Sequence, residues 1–266
     1  MLTRRHFLGC AAAAAAGELP LVDYHAHLDE IVTLDKALEI SRARGVKFGI
    51  VEHGGKTVHR YRGLLSSDDD LKRYLAKLDG KPVYKGIQAE GLDWMECFSK
   101  PMIARLDYVL TDALTFPEKD GRLVRLWTSE AKVDDAQDFM DRYVRFHVQI
   151  VATEPIDILA NPTFLPAPIE RDYETLWTRE RMRAIIDAAR KHSVAIEINS
   201  RYRLPRLAFL KMARQAGAKF SFGSNIHGTD VGRLDYCVEM AKELGLRPDD
   251  LFTPAPPGRT PIERRG

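Results

Sequence analysis

Seven short apolar runs recur along the chain, each followed by a stretch with helical spacing. They cover residues 21–25, 48–52, 83–89, 108–112, 156–160, 194–198 and 220–223. Each is rich in valine, isoleucine, leucine or aromatic residues and is bounded by turn formers. That is the pattern of strands buried on both faces of a parallel sheet. Between them, Thr33 caps a predicted helix over 34–44 that Gly45 stops. Asp68, Asp69 and Asp70 follow Ser66-Ser67 as the solvated first turn of a second helix, where the helix dipole favours negative charge. Pro101 starts a short helix. Longer ones are predicted from Asp134 or Asp135 to 148, and over 178–191, 205–215 and 232–244. Asp120-Gly121 marks a hairpin within 117–125. Strands alternating with helices predict an α/β fold, and short right-handed crossovers close such a sheet into a single-domain, TIM-like barrel over 18–252.

The 266 residues are 45% hydrophobic, which supplies one full core. Lysine plus arginine number 40 against 38 acids, a net charge of +2, so nothing calls for nucleic acid as a partner. No run approaches the ~18 apolar residues that span a bilayer, so the mature chain is expected to make no stable membrane insertion. Cys10, Cys97 and Cys237 lack the spacing of a thiolate metal site or a disulfide framework. Residues 1–17, with Thr3-Arg4-Arg5 ahead of Phe7-Leu8 and an alanine run, resemble a twin-arginine export signal, which implies an exported, periplasmic protein. The alternative is a basic tail leading into an alanine-rich helix, in a cytoplasmic protein. Residues 253–266 form a proline-rich tail.

In α/β barrels the chemistry gathers at the C-terminal ends of the strands. Here those ends carry His25 and His27, Glu52-His53, Glu90, Asp112, Asn161, Glu197 and Asn199, then Asn225 and His227. His25 and His27 are two apart and so share one face of a strand. Imidazole combined with carboxylate suits zinc, manganese or iron more than calcium or magnesium. His6, His59, His147 and His192 lie elsewhere and read as surface or structural residues.

The segments "VDYHAHL", "GVKFGIVEHGG", "YKGIQAEGL", "DYVLTDAL", "DILANPTFLP", "AIEINSR" and "FSFGSNIHGTDVGRL" resemble, in order and spacing, the polymerase and histidinol phosphatase (PHP) superfamily across residues 20–252. The resemblance implies a distorted (β/α)7 barrel and a metal-dependent phosphoesterase whose metal-activated water attacks a phosphoester of a small-molecule substrate. It places His25 and His27 on one ion, His53 and His227 on another, and Glu90 between them as a bridge. Glu197 and Asn199 would shape the pocket. Asp112, Asn161 and Asn225 stand where the family carries histidine, histidine and aspartate. A neutral amide oxygen is a poor ligand for such ions, so one or two ions, zinc or manganese with iron as a third choice, are expected rather than three. Lys56, Arg201 and Arg203 are candidates for meeting a phosphate.

Two other readings follow from the same residues. A degenerate relative would bind metal or ligand without turnover. An amidohydrolase-type hydrolase of C–N or lactone bonds also begins with two histidines on its first strand, but the later strands here offer no matching histidine.

Overall fold

The computed structural model describes residues 18–59, 61–226, 228–256, 258–260 and 263. The proposed export leader lies outside them. Elements follow in the order β1 (Val22–Ala26), α1 (Leu34–Arg44), β2 (Lys47–Ile50), β3 (His53–Gly55), α2 (Asp68–Leu78), β4 (Tyr84–Glu90), α3 (Lys100–Ile103), β5 (Tyr108–Thr111), β6 (Thr115–Pro117), β7 (Leu123–Arg125), α4 (Ala136–Thr153), β8 (Ile158–Leu159), α5 (Tyr173–Leu176), α6 (Arg179–Lys191), β9 (Ala195–Asn199), α7 (Leu207–Gln215), β10 (Phe220–Gly223) and α8 (Asp235–Leu244).

Seven of these strands form a closed ring of parallel pairings, β1-β2-β4-β5-β8-β9-β10 and back to β1. The fold is therefore the α/β barrel that the seven apolar runs predict. β3 is an extra rung on the end of β4, and β6 with β7 forms the antiparallel hairpin expected around Asp120-Gly121.

The helix signals act as their chemistry requires. Thr33 Oγ1 accepts from Lys36 N–H at 3.4 Å, and Gly45 takes the left-handed φ of 65° that ends α1. Ser67 and Asp70 exchange bonds at the start of α2, with the three acids in its first turn. No helix among the described residues is long and apolar enough to cross a membrane.

The barrel has two hydrophobic regions. Outward residues such as Phe48, Ile87, Ile196 and Phe222 pack under the helices. Inward residues Tyr24, Tyr108, Leu110, Ile158 and Ala195 fill the lower half of the barrel, and Phe252 packs against them from below. The Tyr108 ring fits because Gly49 and Gly86 leave room beside it; a Cβ at either would collide with it. Its hydroxyl donates to Tyr24 O at 2.7 Å, so it is not stranded in this layer.

Asp23 ties the first strand to the last. Its carboxylate, buried and facing away from the barrel axis, accepts from His25 N–H at 3.0 Å, Ser224 N–H at 2.9 Å, Ser224 Oγ–H at 2.5 Å and Gly232 N–H at 3.1 Å. Cys97 and Cys237 are both free thiols; Cys237 is buried between β9 and α8 and donates to Ile198 O.

Candidate functional site

Above the apolar layer the barrel interior turns polar. The β1–β2 register shifts between Asp23 and Ala26, a bulge that lets Tyr24 and His25 both face inward. Ala26 then returns to the outer core, and His27 again faces the strand ends. These ends surround a cavity of 1060 Å³, into which His27, His53, Gln88, Asp112, Arg201 and Asn225 project.

At the cavity floor and just below it five residues form a closed circuit. His25 Nδ1 lies 2.6 Å from Glu197 Oε1, and its Nε2 lies 3.1 Å from Gln88 Oε1. Gln88 Nε2 donates to Asp112 Oδ2 at 3.5 Å, and Asn161 Nδ2 donates to the same oxygen at 3.0 Å. Asn161 N–H closes the circuit on Glu197 Oε2 at 2.9 Å. Both ring nitrogens of His25 thus face oxygens that only accept, which suits the doubly protonated ring. Burial opposes that charge, but the neighbouring Glu197 carboxylate outweighs it and raises the His25 pKa. Burial alone would raise Glu197; His25 reverses this and lowers it. Gly223 is required here, because a Cβ would strike Glu197 and His25.

The other half of the site is stacked. The His53 ring lies on Tyr61 at 3.8 Å and 12°, and against His27 at 4.9 Å and 18°. Trp127 continues the stack at 6.3 Å from Tyr61, with Arg125 over both. His53 Nδ1 meets Glu90 Oε1 at 2.7 Å, the arrangement in which a carboxylate orients a ligating imidazole. Burial holds His53 down to about 4, so its ring is neutral at neutral pH. Burial pushes Glu90 up to about 8 and Glu52 up to about 7; Asp112 rises to about 6 through burial and the charge of Glu90. Neither Glu90 nor Asp112 forms an ion pair with a lysine or arginine among the described residues.

The sequence-predicted ligands separate into two groups. His27, His53, Asp112 and Asn225 reach the cavity. His25, Glu90, Asn161, Glu197 and Asn199 are buried behind it. Glu90 stands behind His53 as its hydrogen-bond partner. Glu197 and Asn199 bond each other at 3.0 Å and shape the site from below rather than lining it. His227 lies outside the described residues.

Asn161 and Asn225 both have left-handed backbones, φ 48° and 45°, a conformation asparagine tolerates better than most residues. Asn161 turns its amide nitrogen to Asp112, leaving its buried Oδ1 without a partner. Among the described residues no three histidine, cysteine, aspartate or glutamate side chains stand as a ready coordination group. His25 in particular is closed to an ion while Gln88 occupies its Nε2.

Two of the three predicted phosphate cations are elsewhere. Lys56 binds Asp93 at 2.8 Å and Glu96 at 2.6 Å and does not line the cavity. Arg203 pairs with Glu239 at 2.8 Å and lies over Tyr236, beside a separate 380 Å³ cavity. In each case acids on a neighbouring loop or helix capture the cation. Arg201 does reach the main cavity, donating to Asn225 O at 3.1 Å and covering Tyr202.

Gln88, Tyr61, Arg125 and Trp127 also belong to the site. Gln88 was legible in principle, two residues before Glu90 on the same face of one strand. The other three come from loops and the β6–β7 hairpin, which no periodicity places. No protein-family model matches the chain, and a search of curated proteins finds no match.

Proposed function

We propose that the protein is a metal-dependent hydrolase of the PHP type, acting on a phosphoester with one divalent ion at the barrel mouth. The supporting observation is that two carboxylates, buried Glu90 and half-buried Asp112, stand with His27 and His53 at the floor of the cavity, and neither forms an ion pair with a lysine or arginine among the described residues. Two imidazoles and a carboxylate suit zinc, manganese or iron. His27, His53 and Asp112 would hold the ion, with Asn225 beside them, once their side chains close on it from positions that are not yet coordinating. Such an ion supplies a nucleophile at neutral pH by acidifying water, and polarises a phosphoryl oxygen.

The chain's own residues do the rest. Glu90 fixes the orientation of His53, and Tyr61 holds the ring flat from the other side. Asn161 and the Leu114 N–H, at 3.0 and 2.9 Å, fix Asp112. Arg201, with no carboxylate partner among the described residues, offers its remaining N–H groups to an anionic ligand.

Elemental analysis of protein purified without chelator or metal-scavenging tag tests this reading. About one equivalent is expected, lost in a His27→Ala/His53→Ala variant that still folds. Release of p-nitrophenol from p-nitrophenyl phosphate should fall on chelation and return with zinc or manganese. No metal after reconstitution with either ion would overturn the proposal.

One observation favours a second reading, ligand binding without turnover: His25 is locked between Glu197 and Gln88. The Gln88→Ala variant addresses it. Alanine there leaves His25 Nε2 without the oxygen that occupies it and open to an ion. We expect about one additional equivalent of zinc by elemental analysis. Unchanged stoichiometry would mean that Gln88 is not what closes this position.

A further inference from the structure

The cavity extends past the strand ends into the space between α1, α2 and the loop at 61–65. Five carboxylates line it: Asp29, Glu30, Glu52, Asp70 and Asp112. Four of these are engaged. Asp29 accepts from Ile31, Val32 and Gly228 N–H groups. Glu30 pairs with Arg62, and Asp70 binds Ser66, Ser67 and Arg73. Asp112 belongs to the circuit below.

Glu52, at the end of β2, is different. Its half-buried carboxylate has no hydrogen bond or ion pair among the described residues, and of the polar groups around it Tyr74 and Arg73 are engaged elsewhere. The Tyr74 hydroxyl donates to Ile50 O at 2.7 Å and lies 2.9 Å from Gly86 O, and the Arg73 guanidinium is held by Asp70 at 2.6 Å. Gly63 passes close to one carboxylate oxygen, where a Cβ would sit 3.5 Å away. Leu28, Leu34, Leu64, Leu65 and Leu78 supply the apolar part of this wall, with Thr33 and Lys77 also on it and the Lys77 charge acting on Glu52.

We propose that Glu52 and this leucine wall form a subsite for an organic ammonium group, with the carboxylate pairing the charge and the leucines covering the alkyl portion. A carboxylate left half out of water without a partner is costly, and a cation entering the cavity removes that cost. One carboxylate among hydrocarbon is a poor cage for calcium, which wants six to eight oxygens. It suits a cation that carries its own apolar surface. The subsite lies beside the proposed ion position but does not depend on it.

The test uses metal-stripped full-length protein, so it is independent of any hydrolytic activity. Butylammonium chloride and 1-butanol are titrated separately by calorimetry at constant chloride concentration. Saturable binding of the ammonium is expected, at least tenfold tighter than the alcohol, and weakened at least tenfold in Glu52→Gln. Equal binding by wild type and Glu52→Gln, or no preference for the ammonium over the alcohol, would overturn the assignment. Lys77→Met guards against the nearest unpaired cation on the rim acting as an internal partner. If butylammonium binds that variant but not wild type, Lys77 already fills the role and the proposal fails.

Discussion

Asp23→Ala is expected to remove about 4 kcal/mol of folding stability, read as a shift in the urea unfolding curve. The carboxylate accepts from three backbone N–H groups and one hydroxyl, all in the buried seam that closes β1 on β10. An unsatisfied buried donor costs roughly 1–3 kcal/mol. Relief of the carboxylate's own burial, which raises its pKa, offsets part of that loss. Against a total stability of about 5–15 kcal/mol the remainder leaves a barely folded barrel. Asp23→Asn retains one acceptor oxygen and should fall between wild type and alanine. A loss below ~1 kcal/mol in the alanine variant would show that the seam is held by packing instead.

Stripped of divalent ions, the protein is expected to lose about 2 kcal/mol as pH rises from about 6.5 to 8. Burial pushes Glu90 up to about 8 and Glu52 up to about 7, well above the usual carboxylate range. In this window the folded state retains protons that the unfolded chain has released, so raising the pH drains stability at ~1.4 kcal/mol per pH unit for each fully differing proton. His25, also raised, acts in the same direction. His53 and His147, each held down to about 4 by burial, act in the opposite direction, but only below about 6.5. That confines the clear signal to the upper window. Denaturation curves at several pH values in chelator would measure the slope. A bound divalent ion competes with the protons and should flatten or reverse it. A flat or rising profile in chelator would contradict the upward push that burial gives these two carboxyl groups.

The barrel was legible because its seven strands are largely buried on both faces and so read as short, mostly apolar runs bounded by turn formers. β3 was not, since His53-Gly54-Gly55 contains no apolar side chain and pairs only as an extension of β4. The strand-end rule located the cavity, because side chains at those ends have nowhere else to project. It could not say which of them face open space and which serve as supports. Glu90 and Glu197 are chemically equal to ligands, and only the three-dimensional arrangement shows them bonded behind His53 and His25. Gln88 drew no notice because a neutral amide signals no chemistry, yet it decides whether His25 is open. Lys56 and Arg203 were misplaced because a loop cation goes to the nearest acid, and loop geometry has no period to read.

The position of Phe252 has a practical consequence. Its N–H bonds Phe220 O at 2.7 Å, at the first residue of β10, so the chain leaves the barrel at the end opposite the cavity. β1 begins at Val22 on that same side. Both exits from the barrel therefore lie on the closed face. The molecule can be tethered to a bead, a support or a fusion partner through residues before 22 or after 252 with its cavity turned outward to the solution, and an enzyme or binder built on this barrel would keep its access when immobilised from either side of the chain.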